Sequence, residues 1–257
     1  MSMEYFSGYS GEAISFGAMG IISIIAVAIF IHGMYVNMRK WGYGSEGYGL
    51  TPEDGSIVSF IKTYLIQLSE HSHAPRAEPI WKAFIMDIVF QRRILRKHPV
   101  RWFMHMTIFY GWMVLAFFSG LMFFFEVLDL AHISPIAPVV LREMLQIPNE
   151  IFSYILLVGV VIATVRRLFV PKIRNSTSMS DTVLLGGLII VVVTGFVSQG
   201  IRLGGFWGFG LENSIAPPSA LFHSVISLLF CIALIPYTKY IHIIATPLTI
   251  LLNKGGE

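Results

Sequence analysis

Five stretches of this chain are apolar and long: residues near 14–38, 102–127, 148–170, 182–201 and 219–237, the last staying apolar to 252. Each is long enough to cross the ~30 Å hydrocarbon core of a bilayer, which takes ~20 helical residues. The runs are continuous, unlike the ~10-residue alternating strands of a barrel. Lipid offers no partner to backbone N–H and C=O groups, so the crossing segments must pair their own, as helices do. Composition agrees. Apolar residues make up 55% of the 257 and charged residues 13%, against about 25% charged in a soluble domain. Mean hydropathy is +0.70. The expectation is an all-α integral membrane bundle of five helices, a single domain over 1–257, multi-pass in the cell membrane.

The charges set the orientation. Of the eighteen Lys and Arg, ten fall between Arg39 and Arg101, and Arg166, Arg167, Lys172 and Arg174 crowd the next short loop. The stretches near 128–147 and 202–218, expected to be helix-free, hold only Arg142 and Arg202. Basic loops stay in the cytoplasm. The N-terminus is therefore expected outside and the C-terminus inside, with 39–101 as the large cytoplasmic loop. Glu4 and Glu12, with no base among the first twelve residues, do not match the basic start of a cleavable signal. The single Cys231 excludes internal disulfides and a cysteine-held iron–sulfur cluster. No nucleic-acid partner is expected.

The cytoplasmic loop opens with the Gly-rich "WGYGSEGYGLTPEDGS", a turn region. "PIWKAFIMDIVFQRRILRKHPVRW" then reads as a basic amphipathic helix over 80–97, suited to an anionic lipid surface or to a docked partner. Pro99 suits the first turn of a new helix. No soluble part is large enough for a separate active site, so the chain acts in the bilayer or by docking.

Ionisable groups inside a membrane are costly and point to function. Of eight histidines, His32, His105, His223 and His242 fall in or at the edge of the apolar runs. A neutral imidazole is a good haem-iron ligand. His105 lies four residues past Arg101, about 6 Å up a helix rising from the cytoplasm. His242 lies toward the cytoplasmic end of the fifth run, at similar depth, so the two are placed to grip one iron. His223 precedes His242 by nineteen residues, roughly 28 Å along a straight helix, and belongs near the outer face. Two stacked haems follow. The angle fits less well, because nineteen residues leave the two side chains about 100° apart. Pro236 lies between them and can kink or unwind the helix.

Plainer alternatives stand beside this. Each histidine alone could bond a neighbouring helix's carbonyl. His32 is expected either to contact a haem propionate or to bond a neighbour. His71 and His73 form an H-x-H without further ligands. Arg101, Arg166, Arg167 and Arg202 lie near span ends, where they pair with propionates or serve as interfacial anchors. Glycines such as Gly111, Gly120, Gly186 and Gly195 admit flat rings or simply close helices. Glu126, Asp129 and His132, near the outer surface, are candidate proton acceptors, and His132 is also a candidate to approach the outer iron. A proton-relay transporter would show acidic rows or inverted repeats, and neither is present; a non-haem membrane anchor is the other alternative.

The motifs "FMHMTIFYGW", "RRLFVPKIRNSTSMSD" and "HSVISLLF…IPYTKYIHIIATPL" resemble the nitrate reductase gamma-subunit superfamily, five-helix dihaem cytochromes b. "GMYVNMRKWGYG" and "DIVFQRRILRKHPVRWFMH" are most similar to one branch, the cytochrome b membrane subunits of the membrane-bound heterodisulfide reductases of methanogens. A membrane subunit of sulfite-reduction complexes shares many of these features, and a quinol-oxidising role in such a complex is the neighbouring alternative. The resemblance covers essentially the whole chain.

The resemblance implies two haem b groups and a reduced lipid-soluble carrier, methanophenazine or a menaquinone-like molecule, oxidised near the outer face. Electrons would pass to a cytoplasmic-side iron–sulfur subunit that reduces the CoM–CoB heterodisulfide, with protons released outside. By position, His105 and His242 match the inner-haem ligands, and His223 matches one outer-haem ligand. The family's second histidine in the second span has no counterpart in "GWMVLAFF". The sixth position of the outer iron is therefore either open or taken by a residue such as His132.

Overall fold

The computed structural model describes residues 12–42, 56–72, 79–202 and 216–252. Among these, every regular element is helical. Four helices are long and apolar enough to cross a membrane: Gly17–Gly42, Pro99–Leu130, Pro138–Phe169 and Met179–Ile201. They lie within α1 (Glu12–Gly42), α5 (Pro99–Leu130), α6 (Pro138–Phe169) and α8 (Met179–Arg202). The remaining elements are α2 (Ile57–Ser72), α3 (Ile80–Ala83), α4 (Arg92–Lys97), α7 (Pro171–Ser176), α9 (Ala216–Leu228) and α10 (His242–Leu252). Helices of 32 residues, as α5 and α6 are, run about 48 Å, so their ends extend beyond the hydrocarbon core.

The helices pack as two units, Met1–Ile22 with Pro99–Ser227 and Ser23–His98 with Leu228–Glu257. The first is built on an α5–α6 hairpin. Its contacts run in opposite order along the two helices: Glu126 to Arg142, Phe118 to Phe152, Gly111 to Leu156, Ile108 to Gly159 and Met104 to Arg166. That order makes the helices antiparallel. A methyl on Gly111 would sit 2.9 Å from Leu156 Cα, and one on Gly159 would sit 2.9 Å from the Ile108 backbone nitrogen. Each helix thus lends the other a glycine at the point of closest approach, as small residues do in membrane bundles. Leu156, Val160 and Ala163 of α6 and Leu188, Val191 and Val192 of α8 are buried in this unit.

The helix-free stretch expected at 128–147 is shorter. Residues 131–137 alone separate α5 from α6, and Pro148 sits inside α6. A proline costs a helix one hydrogen bond and a clash with the carbonyl four residues back, but in a long helix the remaining bonds carry it through. His132 ends α5 with φ +58°. Ile133 N–H reaches Leu128 O at 3.0 Å and His132 N–H reaches Asp129 O at 2.9 Å. These two bonds form a Schellman cap, and His132 occupies the left-handed position usually held by glycine.

In the second unit α10 packs on α2, on α3 and on the π turn Phe84–Val89 that follows α3. The Tyr64 hydroxyl donates to Leu248 O at 3.4 Å, and burial pushes its pKa up. The single basic helix expected over 80–97 is instead broken. Phe90 N–H bonds back to Ile85 O, and Gln91 takes φ +48° before α4 begins. The break lets Arg92 and Arg93, beyond it, turn back on the buried Asp87, with Nε–oxygen distances of 3.3 and 3.7 Å.

The fifth apolar run is not one helix either. After α9 the chain passes through a π turn (Leu229–Ala233) and two 3₁₀ turns, Ile235–Tyr237 and Lys239–Ile241, before α10. Pro236 has no N–H to continue the ladder. Thr238 is extended, at φ −124° and ψ 178°. Its hydroxyl donates to Leu234 O at 2.9 Å and accepts from Tyr240 N–H at 3.3 Å. Side-chain bonds of this kind compete with the helical ladder. The straight-helix distance and angle between His223 and His242 therefore do not apply.

Candidate functional site

His223 stands half-buried on α9, against α8. Its Nδ1 lies 3.0 Å from Thr194 Oγ1, which is also 2.8 Å from Ile190 O. With the hydroxyl proton on that carbonyl, Thr194 accepts from Nδ1–H and the lone pair is on Nε2. The imidazole faces Gly195, where a Cβ would come to 3.0 Å from Cε1 and 3.4 Å from Nε2. Glycine is what lets the ring lie against α8.

His242 opens α10 and is exposed. Its Nδ1 bonds the Lys239 carbonyl. A carbonyl oxygen only accepts, so Nδ1 carries the proton and Nε2 the lone pair. His32, on α1, bonds a neighbour: its Nδ1 lies 2.9 Å from the Tyr237 hydroxyl, and that hydroxyl is 3.2 Å from Ile29 O.

His105 lies half-buried on α5, with its ring stacked toward Phe109 one turn on, 6.3 Å between centroids. Arg101 is exposed in the same helix. Arg166 Nη1 donates to Met104 Sδ at 3.7 Å, and Arg167 Nη1 donates to Asp181 O. The side chains of Arg202 and His71, and the whole of His73, lie outside the described residues. Glu126 forms a 2.9 Å ion pair with Arg142 across the hairpin. Asp129 is half-buried at the end of α5, and His132 is exposed in the cap beyond it.

Metal-bound histidines usually donate their second ring N–H to an oxygen atom, which fixes the tautomer and makes the ligating nitrogen more basic. His223 and His242 both meet that description, one through a hydroxyl and the other through a main-chain carbonyl. The donor set fits a haem iron, which these imidazoles would hold.

A family model for HdrE, the E subunit of dihydromethanophenazine:CoB–CoM heterodisulfide reductase, matches residues 81–250. The protein of that description from Methanosarcina mazei is 56% identical over 99% of this chain and 100% of its own length. The one from Methanosarcina acetivorans is 53% identical over 99% and 98%. The chain belongs to the HdrE family. An EtfAB:quinone oxidoreductase from Syntrophomonas wolfei is similar at 22% identity, over 89% of this chain and 32% of its own length. No solved structure matches.

Membership in the HdrE family makes the chain an electron-transfer subunit of an oxidoreductase, and it sets aside the transporter reading. Several residues around these histidines gave no signal in the sequence. Thr194 does not stand out within its apolar run. Asn37 and Tyr237 became informative only with the break at 234–241, since a straight fifth helix gives them no backbone to hold. The pairing of Glu126 with Arg142 required a longer α6 than the apolar run at 148–170.

Proposed function

We propose that the chain oxidises a reduced lipid-soluble carrier, dihydromethanophenazine, and delivers the electrons to a cytoplasmic-side iron–sulfur subunit that reduces the CoM–CoB heterodisulfide. The observation that carries this is 56% identity, end to end, with a subunit named for that reaction. Bound haem b, two per chain, would supply the one-electron carriers between the two faces of the membrane. His105 and His242 are the residues that would hold the inner group, and His223 is one that would hold the outer group. The Thr194 and Lys239 oxygens hold the tautomers that ligation needs. Arg101 and Arg202 are the residues assigned to contact propionates; His32, whose Nδ1 already bonds the Tyr237 hydroxyl, keeps only Nε2 for such a contact. The segment Ala216–Leu252 is the fifth crossing, broken as it is, with the N-terminus outside and the C-terminus cytoplasmic in the cell membrane. The concentration of Lys and Arg in 39–101 and 166–174 supports that orientation.

Oxidising the carrier near the outer face releases protons there, which contributes to a proton gradient. Glu126, Asp129 and His132 are the groups assigned to accept them. Glu126 reaches Arg142 at the same time, so accepting a proton there disturbs an ion pair, whereas His132 is exposed.

The test uses the chain with its iron–sulfur partner in proteoliposomes. Haem content and carrier oxidation are measured with reduced phenazine and with a menaquinol analogue. His105→Ala or His242→Ala is expected to remove one haem and keep the other. His223→Ala is expected to remove the outer haem and abolish carrier oxidation. Full haem content with undiminished carrier oxidation in His223→Ala would overturn the outer-site assignment. The quinone oxidoreductase relative supports a second reading, a quinol-type carrier, and turnover with menaquinol alone would favour it.

A further inference from the structure

The break at 234–241 separates His242 from the helix before it, so something else must fix that imidazole. Its Nδ1–H is aimed by Lys239 O, which belongs to the broken segment itself. Wherever that segment goes, the ring follows.

Breaking a helix in an apolar setting leaves backbone groups to satisfy, and lipid supplies none. Leu234 O accepts from Tyr237 N–H at 3.2 Å and from the Thr238 hydroxyl. Ile235 O accepts from Thr238 N–H at 3.4 Å, and Thr238 O accepts from Ile241 N–H at 3.1 Å. Pro236 O is served from α1: Asn37 Nδ2 donates to it at 2.8 Å and to Gly33 O at 2.9 Å. One amide hydrogen of Asn37 thus crosses to the broken segment, and the other ties the side chain to its own helix.

Two more contacts lie one turn along. A methyl on Gly33 would sit 2.6 Å from Pro236 Cβ and 2.7 Å from the Tyr237 ring. The approach is that close because residue 33 has no side chain. Gly33, Ile235 and Pro236 are buried. The Tyr237 hydroxyl then bonds His32 and Ile29 O. Residues 29, 32, 33 and 37 repeat at helical spacing, so one stripe of α1 grips the broken segment.

We propose that this stripe of α1, through Asn37, Gly33 and His32, is the positioning device for the imidazole of His242. This rests on the assignment of His242 as an iron ligand. His32 then acts through Tyr237, a neighbour in the clamp. The clamp sets the ring's direction through a chain of bonds from Asn37 to Pro236, along the 3₁₀ turns to Lys239 O, and so to Nδ1.

The experiment compares wild type, Asn37→Leu, Tyr237→Phe and His242→Ala in the complete chain, loaded with haem. Haem stoichiometry, the low-spin electron paramagnetic resonance spectrum and the two midpoint potentials are measured. Asn37→Leu is expected to keep both haems. One low-spin signal should shift, and one midpoint should move threefold in ferric-to-ferrous preference or more, about 30 mV. The haem lost in His242→Ala must be the one that shifts. Tyr237→Phe removes a single oxygen, and should move the same signal in the same direction by less. It provides the reading should Asn37→Leu fail to accumulate. Wild-type signals and potentials in both clamp variants, with one haem lost in His242→Ala, would overturn the clamp alone. Retention of both haems in His242→Ala would overturn the ligand assignment and the clamp with it.

Discussion

Thr194→Val offers a sharp test of the outer site. The substitution keeps the shape of the side chain and deletes the oxygen 3.0 Å from His223 Nδ1. Two losses follow. The Nδ1–H donor, on a half-buried ring in an apolar setting, is left to find another acceptor, and a neutral bond of this kind is worth about 0.5–1.5 kcal/mol net. The imidazole also becomes a weaker electron donor, because its second nitrogen no longer shares its proton with an acceptor and the ring loses imidazolate character. Outer-shell changes of this type lower metal affinity about 10–100-fold. A donor hydrogen bond favours the ferric state, so its loss should raise the outer midpoint. If most of the bond's net worth is felt by the ferric form, the rise is about 20–60 mV, at 59 mV per tenfold for one electron. Haemin titration of the purified chain gives the affinity, and a potentiometric titration followed at the haem absorption bands gives the midpoint. Thr194→Ser restores the oxygen and should restore both values. Unchanged affinity and midpoint in Thr194→Val, with the Ser variant no different, would refute the idea that this hydroxyl holds the ligand's tautomer.

Gly111→Ala sets a methyl 2.7–2.9 Å from Leu156 Cβ, Cα and N; because two of these are backbone atoms, it should destabilise the hairpin by about 1–3 kcal/mol. Gly120→Ala, with nothing within 4 Å, is the control expected to leave thermal unfolding in detergent unchanged or slightly raised. Arg142→Ala leaves the Glu126 carboxylate, 14% exposed, without its guanidinium, and should cost about 1–3 kcal/mol, between the values for surface and buried pairs. Glu126→Gln should cost less, since it removes the charge that needs compensation; chemical or thermal unfolding distinguishes the two. Asp87→Asn removes the anion that draws Arg92 and Arg93 back across the left-handed Gln91. Limited trypsin digestion should then cut after Arg92 or Arg93 several-fold faster, while the α5–α6 hairpin stays intact.

The long apolar runs told most of the fold because the bilayer has one demand, that every backbone group be paired within the segment. That demand made the four helices long enough to cross legible. It says little about where a helix stops once it leaves the hydrocarbon, which is why α6 begins ten residues before the start of the apolar run at 148. It says least about residues 228–242, where the choice between continuing and breaking falls to Pro236, to the Thr238 hydroxyl and to the amide of Asn37, distant in sequence. The histidines stood out as ionisable groups in apolar surroundings. Their orienting partners did not, since Thr194 and the Lys239 carbonyl acquire meaning only from geometry. The left-handed backbone at Gln91 and His132 was equally hidden, because neither is a residue that announces such a turn.

Haem binding through the membrane histidines is the claim on which the rest depends. The direct measurement is the pyridine haemochrome spectrum of the purified full chain, produced with ample haem supply. A b-type spectrum is expected at about two haems per chain, falling by about one in each of the His223→Ala and His242→Ala variants. A well-folded preparation without a haem band, or one whose haem content is indifferent to both substitutions, would contradict it.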